Sequence, residues 1–307
     1  MQRLGLCCVF QKAPISFRST TASSIEHRIR RGENTSDYLS ELILSNISSL
    51  HAAILFCSAH NIGSFRINSR FFPLYTHPQF GYQLDDLPKR VDLLKYLRKV
   101  KSEASRRHIR LTFHPDQFVV LNSPFDDVVE GSIKELEYHG FMARLLGADV
   151  ITLHGGGGYG HKAQSLLRLQ KNFTLLSHNV QERLALENDD KVFTPEDLLP
   201  LCHDLNIPLV YDVHHHRCLP DSFTIEEATA RALQTWNREP LFHVSSPKEG
   251  WTAKNLYRHA EYINPTDIPS CWAPIDPLTI EVEAKAKELA VIKLCSHLRA
   301  HGWNIGP

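Results

Sequence analysis

The chain has 307 residues, 42% of them hydrophobic and 22% charged, which suits one large α/β barrel or two smaller domains. Its 34 basic and 34 acidic side chains cancel, so bulk charge argues against a DNA partner unless bound divalent cations reset the local balance. The seven cysteines form no C-x-x-C pair, which excludes a thiolate zinc site and a disulfide framework and leaves buried, reduced thiols.

Met1–Cys8 reads as a first strand rather than a signal peptide, and no apolar run approaches the about 18–20 residues of a membrane span. The expectation is a cytoplasmic protein with no membrane contact. After the candidate strand Arg3–Cys8, the turn Phe10–Pro14 has no glycine-rich phosphate motif, so no nucleotide cofactor is expected. The polar stretch Ser16–Asp37 is too long for an ordinary connection and predicts a functional loop or lid. Leu39, Leu42, Ile43, Ile47, Leu50 and Ile54 then recur at helical spacing, as do Leu87, Val91, Leu94, Leu97 and Val100 beyond the strand Ser64–Ile67. Further strands are expected at Ile109–Phe113, Asp149–Leu153, Glu182–Leu186, Pro208–Tyr211, Pro240–Val244 and Leu278–Val282. Thr194-Pro195-Glu196-Asp197 has the cap, proline and acids of a helix start, and Ala284–Ala300 reads as a closing helix. This alternation predicts an α/β protein of the (β/α)8 TIM-barrel type, with residues 1–307 forming one catalytic domain.

The strand ends carry the chemistry. His77 lies in the loop after strand two, His114 ends strand three, His154 strand four and Glu187 strand five. Asp212 and His215 follow strand six, His243 ends strand seven, His259 lies beyond it, and Glu283 closes strand eight. Barrels do their chemistry at this end, and apolar strands gain nothing from ending in charge unless the charge is paired or binds a cation. A donor set of imidazoles and carboxylates without thiolates suits Mn²⁺, Zn²⁺ or Fe²⁺ rather than Ca²⁺. Its size implies two or three ions, with Glu187 and Glu283 as bridges. Such an arrangement is suited to phosphodiester cleavage, where one ion activates water and another neutralises the leaving oxygen. The glycine run 155–158 lacks the Lys-Ser/Thr ending of a nucleotide loop and reads as a close backbone approach.

The segments R-L-G, T-H-P, F-H-P-D-Q-F, H-G-G-G-G-Y-G, L-A-L-E-N-D-D, Y-D-V-H-H-H, H-V-S-S-P-K and V-E-A-K, running from residue 3 to about 287, resemble the UV damage endonucleases. The resemblance implies a repair enzyme that nicks damaged double-stranded DNA 5′ to a photoproduct, through a cluster of up to three metals described with manganese. Zinc is the alternative. It implies the ligand set His77, His114, His154, Glu187, Asp212, His215, His243, His259 and Glu283, with Glu187, Asp212, His215, His243 and Glu283 as the catalytic members. Gln117 and Phe118 match the pair that this family inserts beside the lesion, Phe118 offering a face for stacking and Gln117 an amide for lost pairing. Two positions depart from the family pattern: Leu6 replaces a probing tyrosine, and Leu241 replaces a lysine, reported as modified, two residues before His243. Arg66, Arg70, Lys162, Lys248 and Lys254 are candidates to grip the DNA backbone in a monomeric enzyme. An abasic-site endonuclease, a sugar isomerase or epimerase, and a lesion-binding protein without cleavage are the alternatives.

Overall fold

The computed structural model describes residues 1–306. Eight strands, β1 (Gln2–Cys7), β2 (Ser64–Ile67), β3 (Arg110–Phe113), β4 (Val150–His154), β5 (Leu184–Glu187), β6 (Leu209–Asp212), β7 (Leu241–Val244) and β8 (Leu278–Val282), are parallel and pair in chain order. β8 closes on β1, Gln2 opposite Leu278 through Leu6 opposite Val282, to make the (β/α)8 barrel that the alternation predicts. The bounds lie within one or two residues of the sequence reading.

Strand residues alternate between two environments, as a period of two requires. Leu4, Phe65, Phe113, Leu153, Leu186, Tyr211, Phe242 and Val282 point outward into one continuous core shared with the helices. Val150, Ala185, Val210 and Leu241 form a separate apolar cluster inside the barrel. The N-terminal mouth is closed by charge pairs: Arg110 Nη2 donates to Asp149 Oδ2 at 2.9 Å and Arg3 Nε to Glu239 Oε1 at 3.0 Å.

The outer layer includes α1 (Ala22–Arg30), α2 (Thr35–Ala59), α3 (Arg90–Arg106), α4 (Asp126–Leu146), α5 (Lys162–Phe173), α6 (His178–Gln181), α7 (Pro195–Leu205), α8 (Val213–Cys218), α9 (Ile225–Gln234) and α10 (Glu288–Ala300). By length and composition α2 could cross a membrane, which no uninterrupted apolar run in the sequence suggests. Its Leu39, Ile43, Ile47, Leu50 and Ile54 are instead buried in the common core, where α2 packs on α3.

Two expectations change. The stretch Ser16–Asp37 is not a free lid: Thr21 caps α1, and the segment is pinned to α2. Buried Asn46 accepts from the Arg18 N–H at 2.7 Å and donates to the Arg18 and Phe71 carbonyls, while Ser49 donates to the Ser16 carbonyl. The closing helix starts at Glu288 rather than Ala284, because Lys287 takes a left-handed φ of 49°. The Glu288 carboxylate accepts from the backbone N–H groups of Gln11, Lys12 and Ala13, fixing the loop after β1.

Asn46→Ala removes the partner of three backbone groups at once. We expect it to destabilise the protein by about 2–4 kcal/mol, read as a lower urea midpoint with unchanged slope.

Candidate metal centre

Inward-facing side chains at the C-terminal strand ends converge on Glu187. Its Oε2 lies 2.8 Å from His114 Nε2 and 3.6 Å from His154 Nε2. Its Oε1 lies 2.8 Å from His243 Nδ1 and 3.6 Å from His215 Nδ1. Asp212 Oδ2 is 3.6 Å from the same His215 nitrogen. Glu283 Oε1 stands 3.7 Å from His243 Nδ1, and its Oε2 is 3.8 Å from His259 Nδ1. Eight of the nine expected ligands thus form one connected cluster, in which His114–His154–Glu187 and Glu187–Asp212–His215 each bring ligand atoms within 4.8 Å of one another.

Local geometry explains the D-x-x-H spacing. Asp212 caps α8: its Oδ1 accepts from the His215 N–H at 2.8 Å, turning the chain so that His215 faces back into the mouth. Asn188 clamps the neighbouring strand end, donating to the Asp212 carbonyl and accepting from the Asp212 N–H. His259 is carried by the loop after β7. Ala260 N–H bonds to the Ser246 carbonyl, and Lys248 N–H to the Arg258 carbonyl. Asp267 anchors that loop by accepting from Ser246 Oγ and Trp251 Nε1.

The donor set fits divalent cations. Buried Asp212 Oδ2 and His154 Nδ1 have no hydrogen-bond partner among the described residues, and a buried polar atom left so is costly unless something binds it. Burial opposes ionisation of Glu187, but His243, His154 and His114 outweigh it and hold its carboxyl well below the usual range. Burial likewise opposes charge on His215 and His243. Asp212, Glu187 and Glu283 nevertheless raise His215 to about 9, and Glu187 raises His243 to about 10. Burial lowers His154.

The structure relocates several predicted residues. His77 is not in the cluster: its Nδ1 accepts from the Gln79 and Phe80 N–H groups, its ring stacks on Phe80, and it faces clefts near α4. Arg66 is no surface grip. It is buried inside the barrel, Nη1 2.7 Å from Glu283 Oε1 and Nη2 2.5 Å from Glu281 Oε2. Lys162 is engaged with Asp197, and Arg70 pairs with Asp116 at the rim. Gln117 and Phe118 occupy that rim, lining a cleft with His114, Glu187 and Glu283, and Phe118 is 74% exposed. Leu6 is buried in the outer core and Leu241 in the inner apolar cluster, so neither reaches the cleft. The glycine loop packs closely, as expected: Asn122 donates to the carbonyls of Gly155 and Gly157, and Gly156 has a φ of 84° and no room for a Cβ beside Asn122.

Glu281 was not foreseen. Strand alternation could have found it, since it lies two residues before Glu283 and so shares its face.

Fold and site together define a (β/α)8-barrel protein with a cluster of imidazoles and carboxylates at its C-terminal mouth that could hold metal ions. Residues 2–303 match the family described as UV-endonuclease UvdE, and the chain belongs to that family. It is 32% identical to a UV-damage endonuclease of Neurospora crassa over 96% of this chain and 47% of that one. It is 31% identical to a UV DNA damage endonuclease of Nostoc sp. over 99% and 91%. The chain spans about half the length of the fungal relatives it matches. The crystal structure of SacUVDE superposes with a TM-score of 0.86 at 28% identity, covering 99% of this chain and all of that one. Endonuclease IV from Thermus thermophilus, at TM-score 0.60 and 15% identity, shares the fold.

The charged histidines set a pH dependence. In metal-free protein His215 and His243 are raised from 6.5 to about 9 and 10, so their contribution to stability is full below 6.5 and is lost as pH rises through those values. With chelator present, the melting temperature should fall as pH rises from 7 to 10. Excess Mn²⁺ should reverse the fall, because an ion replaces the lost protons.

Proposed function

We propose that the chain is a metal-dependent DNA repair endonuclease that cuts 5′ to UV photoproducts, cyclobutane pyrimidine dimers and 6-4 photoproducts, by phosphodiester hydrolysis. The observation that carries this reading is the position of Glu187, with imidazoles on both of its oxygens in a chain of the UvdE family. His114, His154 and Glu187 would hold one ion. Glu187, Asp212, His215, His243 and Glu283 would hold a second, and His259 adjoins the position of a third. Mn²⁺ suits these donors, with Zn²⁺ as competitor. When bound, such ions supply an activated water and a counter-charge for the phosphate and the departing oxygen.

The protein's own charges favour this chemistry. Glu187, Asp212, Glu281 and Glu283 against Arg66 leave three negative charges in the mouth, which two divalent ions convert to one positive charge. An anionic backbone is then attracted to a chain of zero net charge. Phe118, exposed beside Gln117 on the cleft, would enter the stack where a photodimer weakens it. The reading includes a monomer that uses no nucleotide cofactor and works as one catalytic domain. It also includes a cytoplasmic location, which the free cysteines suit.

The test is Mn²⁺-loaded protein with supercoiled plasmid. Irradiated plasmid should be nicked to leave 3′-hydroxyl ends, and chelator should stop it. A preference for an abasic duplex, or tight binding without nicking, would overturn the reading. Glu187→Gln should lower the nicking rate by on the order of 10³-fold or more, since a neutral amide cannot replace a bridging carboxylate. Phe118→Ala should weaken discrimination for damaged over intact duplex by about 5–100-fold, the worth of one stacked base, with metal content unchanged.

A further inference from the structure

Beneath the expected ligands lies a carboxylate that they leave without a role. Glu281 on β8 points to the barrel axis and is 1% exposed. Its Oε2 accepts from Arg66 Nε at 2.6 Å and lies 3.2 Å from His243 Nε2, while Oε1 accepts from Thr112 Oγ1. The fold makes room for it at Gly5, where a Cβ would fall 2.8 Å from Glu281 Cγ. A charge so deep survives only with such partners. Both partners reach upward. His243 turns Nδ1 to Glu187 Oε1 at 2.8 Å, and Arg66 Nη1 lies 2.7 Å from Glu283 Oε1.

We propose that Glu281 is a positioning residue that sets the orientation and tautomer of His243 and the placement of Arg66, so that both serve the metal centre. The inference rests on the metal-centre reading above. Two arrangements compete at His243 Nε2. Arg66 Nη2, 3.1 Å away, favours an Nε2 that accepts, which would place the ring proton on Nδ1, facing Glu187. Glu281 accepts a hydrogen bond from Nε2–H, which keeps the ring proton on Nε2 and leaves the Nδ1 lone pair free toward the cluster. Metal-bound histidines depend on such a carboxylate behind the ring. Glu281 also offsets the positive charge of Arg66, which would otherwise repel a cation held by Glu283.

Glu281→Gln keeps the volume and an acceptor for Arg66 but removes the charge. Mn²⁺ and Zn²⁺ affinities, measured by competition with a chelator, should weaken by about 10–100-fold, with the nicking rate falling in parallel. Glu281→Asp should recover part of the loss. On the Zn²⁺-loaded native protein, ¹⁵N-histidine NMR should show His243 protonated at Nε2 and coordinated through Nδ1. This readout does not depend on the variant folding. Native affinity in Glu281→Gln, or a His243 protonated at Nδ1 in the Zn²⁺-loaded native protein, would overturn the inference and leave the metal centre standing. Native protein that binds no divalent ion would overturn both.

Discussion

Repulsion among buried acids organises the mouth of the barrel. Glu187, Asp212, Glu281 and Glu283 crowd into one inward-facing layer and the layer below it, and two like charges 4 Å apart repel by roughly 4 kcal/mol at the effective dielectric of a protein. Every nearby feature counters that repulsion. Arg66 rises between Glu281 and Glu283, imidazoles bracket Glu187, and the His215 N–H of α8 faces Asp212. Protonated His215 and His243 complete the balance, and any metal ion held there would have to displace those protons.

Much of this was legible in the chain. A strand buried on both faces is a short apolar run, and a polar residue at its end stands out, so the strands could be located to a residue or two, and eight of the nine side chains named from the sequence lie together in the structure. What failed had physical causes. Glu281 and Arg66 sit inside their strands, flanked by apolar neighbours, and such a charge looks like an exposed one until the barrel closes and register puts Glu281 opposite Gly5 and His243. His77 lies in a connection long enough to turn away from the axis, and nothing in T-H-P specifies that turn. The stretch after β1 carries few apolar residues, yet Ile25 and the backbone clamp at Asn46 suffice to seat it.

The barrel alone says little about reaction, since endonuclease IV and a D-psicose 3-epimerase share it at TM-scores of 0.60 and 0.59. The rim carries its own features. The β3 loop puts Phe118 in solvent, and Asp116 in the same loop is tied to Ser69 and Arg70 of the β2 loop. An aromatic face held on a braced loop keeps its reach without collapsing into the cleft.

Asp212 divides its labour between two oxygens, one stapling α8 and the other left bare beside His215. The turn that presents His215 is thus fixed by the same carboxylate whose second oxygen faces the cluster. A substitution at Asp212 would therefore disturb two things together, the path of the backbone into α8 and the charge beside His215.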